Sequence, residues 1–177
     1  MERPSCGDNA WLTFFHTLGL TSLTQSLLGR HLAVGDGPRA AAAVRSLMAI
    51  GFGLAIALPV ANWALPTAFP AAFTSDAAVQ AAVASVIPAA CAAQALAAIN
   101  TAAEGCFAGA GRLRYITAIS AASAVAGVAS MRFIGGLSGA WAGLLLFEAT
   151  RTACHAAGWA GFMRELRARA APALPAA

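Results

Sequence analysis

The segment AAVQAAVASVIPAACAAQALAAINTAA, residues 77–103, contains no charged side chain. It exceeds the roughly 20 apolar residues that a helix needs to cross hydrocarbon. It also lacks the polar stripe by which a water-facing helix stays solvated. Its repeated Ala-Ala pairs contribute little to insertion, but small residues let helices approach closely in lipid. The segment therefore reads as a transmembrane helix in the interior of a bundle, with Pro88 a kink that neighbouring helices can accommodate.

The rest of the chain is consistent with that reading. Of 177 residues, 59% are hydrophobic and 10% charged, and the mean hydropathy is +0.70. A soluble domain carries about 25% charged residues, and a soluble alanine-rich bundle would need a charged face on each helix. Four further apolar stretches give an all-α membrane fold of five transmembrane helices, at about 11–29, 46–66, 77–104, 115–133 and 138–162. They form one bundle over 11–163, between an irregular N-terminus (1–10) and a cytosolic-side tail (164–177) in which Ala170–Ala177 is expected to be disordered. The first stretch is the least apolar, with His16 and Gln25, and the fifth carries Glu148 and Arg151.

The connectors carry turn chemistry. Gly29 closes the first stretch; Gly35-Asp36-Gly37-Pro38 supplies a relaxed backbone, a capping carboxylate and a first-turn proline. Thr74-Ser75-Asp76 offers capping oxygens to the free N–H groups of the third helix. Gly109 and Gly111 end that helix, Gly135-Gly136 breaks the chain again, and Pro66 and Pro70 are expected to end the second helix. Threading five spans places Arg30, Arg39, Arg45, Arg112, Arg114, Arg164, Arg167 and Arg169 on one side, against Arg3 and Arg132 on the other. That asymmetry puts the C-terminus on the cytosolic side and the N-terminus outside, which implies a missing upstream helix.

The net charge of +4 is scattered and follows topology; no basic run interleaves with aromatics as a nucleic-acid surface would require. Cys6, Cys91, Cys106 and Cys154 form no paired spacing and read as small apolar residues. Residues 1–10 do not form a signal peptide, since Glu2 and Asp8 interrupt them.

Four motifs then resemble one family. TQSLLGRHLAVGD at 24–36, followed by Arg39 and Arg45, resembles the loop after the second helix of a lobe in the MATE (multidrug and toxic compound extrusion) family. FTSD at 73–76 resembles that family's short external loop, and EGCFAGAG at 104–111, then Arg112 and Tyr115, its glycine-rich internal turn. GLSGAWAG at 136–143, then Arg151, resembles the start of its last helix. Order and spacing match helices eight to twelve of a twelve-helix transporter, and the Gln25-Ser26 and Glu104-Gly105 pairs resemble the plastid-type plant branch, DinF-like, which points to a chloroplast envelope. The resemblance implies secondary active transport: proton- or sodium-coupled antiport of small organic compounds, with no cofactor beyond the coupling ion. Its partners would be the lipid bilayer, a small organic solute and a missing N-terminal lobe. A truncated non-transporting fragment, a lipid-linked flippase of the same superfamily and a soluble helical interaction protein are the alternatives.

Charges inside a span cost about 2.5–3.5 kcal/mol each, so they mark candidate sites. Glu148 and Arg151, three apart, can meet on one helix face, either as a proton or organic-anion site or as a structural ion pair; His155 faces similarly, either as a site residue or as a satisfied core histidine. Glu104, with Asn100 one turn earlier, could bind the coupling cation or hydrogen-bond the glycine turn, and Gln94 and Thr101 could line a cavity. Nothing resembles a nucleophile–base pair, a phosphate loop or a metal cluster, so no enzymatic activity is expected.

Overall fold

The computed structural model describes residues 7–68 and 74–169. Arg3, Cys6, Pro70, Phe73 and the Ala170–Ala177 tail lie outside the described residues, as do the side chains of His16 and Pro66. The described chain is all helical: α1 (Gly7–Ala33), α2 (Gly37–Ala68), α3 (Ala77–Gly109), α4 (Leu113–Ile134) and α5 (Gly136–Ala168). Each helix covers one expected stretch and runs past it. α2 begins at Gly37, well before 46, so that Arg39 and Arg45 sit in its first turns, and its backbone continues through Pro66 to Ala68. α5 continues beyond 162 through Arg164, Glu165 and Arg167.

The turns form where the small and capping residues stand. Gly35, Gly111, Gly135 and Gly136 adopt φ of 69°, 79°, 69° and 61°, a region that L side chains avoid. Asp36 accepts from the Arg39 amide at 3.1 Å and pairs with its guanidinium at 3.3 Å. Asp76 accepts from the amides of Ala78 and Val79 at 2.8 and 3.4 Å, capping α3.

α3 is the central element and packs on α1, α2, α4 and α5. Its buried residues lie from Ile87 onward, concentrated between Ala98 and Phe107, so the charge-free segment is interior over its second half. A Cβ on Gly109 would come within 2.9 Å of the Gln25 carbonyl, and one on Gly105 within 2.7 Å of Thr24 Cβ, so glycine lets α1 close onto α3. The main core cluster joins Leu28 (α1), Val44 (α2), Phe107 (α3), Phe162 and Leu166 (α5). These residues bring the end of α1, the start of α2 and the ends of α3 and α5 together, and Arg112 at the start of α4 pairs there with Glu165. The arginines of all three regions therefore share one end of the bundle.

Among the described residues, three helices are long and apolar enough to cross a membrane: Gly37–Ala64, Ala77–Gly109 and Leu113–Ile134, each with an 18-residue window of mean hydropathy 1.9, 1.9 and 1.4 respectively. Ile56, Val60, Val125, Val128 and Phe133 are each more than 60% exposed. Apolar side chains standing outward on the same helices are what hydrocarbon, rather than water, accommodates.

Candidate functional site

The charged residues singled out within the spans meet at the α3–α5 contact. Arg151 on α5 lies between two carboxylates. Its NH1 donates to both oxygens of Glu148 at 3.0 Å, one turn earlier on the same helix. Its Nε donates to Glu104 Oε1 on α3 at 3.1 Å, and its NH2 stands 2.5 Å from the same oxygen. The guanidinium also lies over the Phe147 ring, 5.0 Å from its centroid. The arrangement is closely held: the Arg151, Glu104 and Glu148 side chains are 13%, 18% and 8% exposed.

Asn100 and Thr152 complete the network. Asn100 Nδ2 donates to Glu148 Oε2 at 2.7 Å and to the Glu148 carbonyl at 2.9 Å. Thr152 Oγ1 lies 3.0 Å from Asn100 Oδ1 and 2.9 Å from the Glu148 carbonyl, both acceptors for its single proton. Charge-assisted bonds of this kind offset the cost of holding ions away from water. One imbalance remains: two carboxylates share one guanidinium, so with both ionised the cluster carries one uncompensated negative charge.

His155 sits one turn beyond Arg151 with Nε2 3.5 Å from Glu104 Oε1. Its ring stacks on Phe107, with centroids 5.4 Å apart and planes 24° apart, inside an aromatic group with Tyr115, Trp159 and Phe162. Neither ring nitrogen makes a hydrogen bond within the described structure, although the residue is only 3% exposed. His155, Asn100 and Thr152 line a cavity of about 590 Å³ between α2, α3 and α5, whose other walls include Val44, Met48, Phe52, Ile99, Trp159 and Met163, with Arg45 at its rim.

The remaining candidates lie elsewhere. Gln94 is paired with Asn62 of α2, and Thr101 donates to the Ala97 carbonyl of its own helix at 2.8 Å; neither joins the cluster or the cavity. Gly29, Gly35, Asp36, Gly109 and Gly111 serve the turns and the close α1–α3 approach at the arginine end. Among the described residues no group of three or more His, Cys, Asp or Glu is placed to hold a metal ion. The sequence reading passed over Thr152, although it stands four residues after Glu148 on the same face. It also passed over Asn62, for which the sequence carries no signal.

The family model MatE matches residues 8–131, more than half of the chain. The match covers α1 to α3 and most of α4, including Asn100 and Glu104, and ends before α5 with Glu148, Arg151 and His155. No curated protein and no solved structure gives a significant match.

Proposed function

Because this chain belongs to the MatE family of membrane transporters, we propose that it moves small organic compounds by antiport against a proton or a sodium ion, with the Glu104–Glu148–Arg151 cluster as the coupling site. One observation carries the reading: two nearly buried carboxylates share a single guanidinium, and hydrocarbon makes the leftover charge costly. A proton or a small cation entering the cluster removes that charge. Neutralising Glu104 loosens its ion pair with Arg151, which joins α3 to α5 beside the Asn100–Glu148 bond. Cation occupancy thus biases how the two helices sit against each other, the kind of differential interaction that coupling requires. An organic carboxylate bound to Arg151 is the weaker alternative, because both edges of the guanidinium are already held by Glu104 and Glu148. The resemblance of Gln25-Ser26 and Glu104-Gly105 to the plastid branch favours a chloroplast envelope as the membrane, which targeting of the tagged chain in plant cells would check.

The test is flux. Proteoliposomes holding the chain and given an imposed proton or sodium gradient are expected to move ethidium faster than with no gradient. Glu104→Gln and Glu148→Gln are each expected to lower the gradient-dependent component at least tenfold. Gradient-driven flux that both variants retain would remove the cluster from coupling. Flux in the unaltered chain equal to that of empty liposomes would leave a packing role for the cluster and make the chain a non-transporting member of the family.

A further inference from the structure

We propose that the arginine end of the bundle binds anionic lipid: Arg30, Arg45, Arg114 and Arg164 form a belt at one depth that holds the phosphates of negatively charged head groups in the leaflet on that side. The claim concerns the bilayer and not a transported solute, and it stands whether or not the Glu104–Glu148–Arg151 cluster exchanges a cation.

Position comes first. Each of the four stands one or two residues from a member of the same core layer: Arg30 from Leu28, Arg45 from Val44, Arg164 from Phe162, and Arg114 from Tyr115, which packs against that core. At about 1.5 Å per residue they lie within roughly 3 Å of the layer along their own helices. All four are exposed, and each comes from a different helix. Two of them head apolar faces. Arg45 begins the exposed row Ala49, Phe52, Ile56 and Val60 on α2, and Arg114 begins the row Ala118, Ala121, Val125 and Val128 on α4. Spacings of three and four keep each row on one helix face. The arginines therefore mark the level at which hydrocarbon-facing surface gives way to head groups.

Charge comes second. That end holds eight arginines and, among the described residues, two carboxylates outside the buried cluster, Asp36 and Glu165. Both are engaged by arginines outside the belt: Asp36 by Arg39, and Glu165 by Arg112 and Arg169. Among the described residues no carboxylate pairs with any of the four belt arginines. The chain has no lysine at all. An orientation signal is met by either residue, whereas only the guanidinium fork grips phosphate oxygens in pairs. A soluble acidic partner would approach along the bundle axis. There Arg39, Arg112 and Arg169 are already paired, and Arg167 is the one left unpaired among the described residues. The belt lies around the sides, at the depth of lipid phosphate.

Tryptophan fluorescence reads the two ends separately. The full chain is reconstituted with a single tryptophan, either Trp159, five residues before Arg164, or Trp63, near the far end of α2, the others being replaced by phenylalanine. Phosphatidylcholine is exchanged for dibrominated phosphatidylglycerol or dibrominated phosphatidylcholine, and quenching gives the relative affinity of the lipid beside each ring. At Trp159 the anionic lipid is expected to be preferred about fivefold, the scale of one arginine at an anionic surface, and the preference is expected to fall as salt rises. At Trp63 the two lipids are expected to quench alike. Equal quenching at Trp159, or the same preference at both ends, would overturn the proposal in the unaltered belt, before any arginine is changed. Arg30→Gln, Arg45→Gln, Arg114→Gln and Arg164→Gln together are expected to abolish the preference, whereas Arg39→Gln with Arg169→Gln, from the paired set, leaves it unchanged. Arg→Lys at the four belt positions keeps the charge that sets orientation and is expected to retain only part of the preference. A preference that survives the four glutamines, or that the paired set removes equally, would replace the belt by diffuse charge. Its loss on adding inorganic phosphate at constant ionic strength would assign the arginines to a soluble anion and overturn the lipid assignment.

Discussion

Arg151 shows why a charge can reside in this bundle. Its fork meets three carboxylate oxygens on two helices, and its flat face lies on Phe147. Removing it leaves Glu104 and Glu148 facing each other without a cation, and breaking a buried pair costs about 3–5 kcal/mol. Arg151→Ala is therefore expected to lower the unfolding midpoint in detergent by on the order of 10 °C. Arg151→Lys is expected to recover only part of this, since a point charge cannot fork to both carboxylates. If the loss is electrostatic, Glu104→Gln and Glu148→Gln added to Arg151→Met restore most of the midpoint while flux stays absent; a triple variant as unstable as Arg151→Ala would show that packing, not charge, held the site. Asn100→Leu removes two bonds to Glu148 and is expected to cost about 1–3 kcal/mol in the same assay. Half of this cluster was legible in the sequence. The Asn100–Glu104 and Glu148–Arg151 spacings put each pair on one helix face, and their cost in hydrocarbon marked them as worth pairing. Which faces of α3 and α5 meet is a tertiary fact that no local spacing encodes, so the Arg151–Glu104 bond was not foreseen. Gln94 misled for the same reason: its position on α3 turns it to Asn62 of α2.

At the scale of the element, apolar runs locate helices well and end them badly. A hydropathy reading stops at the first arginine, yet a helix gains a backbone hydrogen bond per residue whether or not the side chain is charged. Arg39 and Arg45 at the start of α2, and Arg164 and Arg167 at the end of α5, reach out of the apolar slab on helical backbone. The turns were legible because their chemistry is local: Asp36 and Asp76 cap, and glycine takes the positive φ at 35, 111, 135 and 136. Glycines inside helices divide by what surrounds them. Gly109→Ala sets a methyl within 2.9 Å of the Gln25 carbonyl, and relief requires α1 and α3 to part there. It is expected to lower the unfolding midpoint by several degrees, through a cost of about 1–3 kcal/mol for overpacking. Gly53→Ala meets nothing within 4 Å and is expected to be neutral or to stabilise α2 by about 0.5–1 kcal/mol through its better helix propensity. Equal effects from the two substitutions, measured by thermal dispersal in detergent, would show that α1 does not press on α3 at Gly109.

The whole molecule has two unlike ends, and that inequality makes a statement about sidedness. One end carries Arg30, Arg39, Arg45, Arg112, Arg114, Arg164, Arg167 and Arg169, tied together by the Leu28–Val44–Phe107–Leu166 core and by the Arg112–Glu165 and Arg169–Glu165 pairs. The other end, where α2 gives way to α3 and α4 to α5, shows Asp76 and Arg132 among the described residues. Between them the outward faces of α2 and α4 are apolar. Helices α2, α3 and α4 each run from one end to the other, so in a bilayer the two ends must lie on opposite faces, with the arginine end on the side that basic residues do not leave. Single cysteines placed at Val34 and Ala168, or at Ser75 and Ser138, test this in a chain with Cys6 replaced by serine; the other three cysteines are buried or partly so. In sealed vesicles of known orientation, an impermeant maleimide is expected to reach the first two sites from the cytosolic side only and the second two from the opposite side only. Reaction of Val34→Cys and Ser75→Cys from the same side would mean that α2 does not cross, and the bundle would then have to keep its exposed Ile56, Val60, Val125 and Val128 from water by some other means.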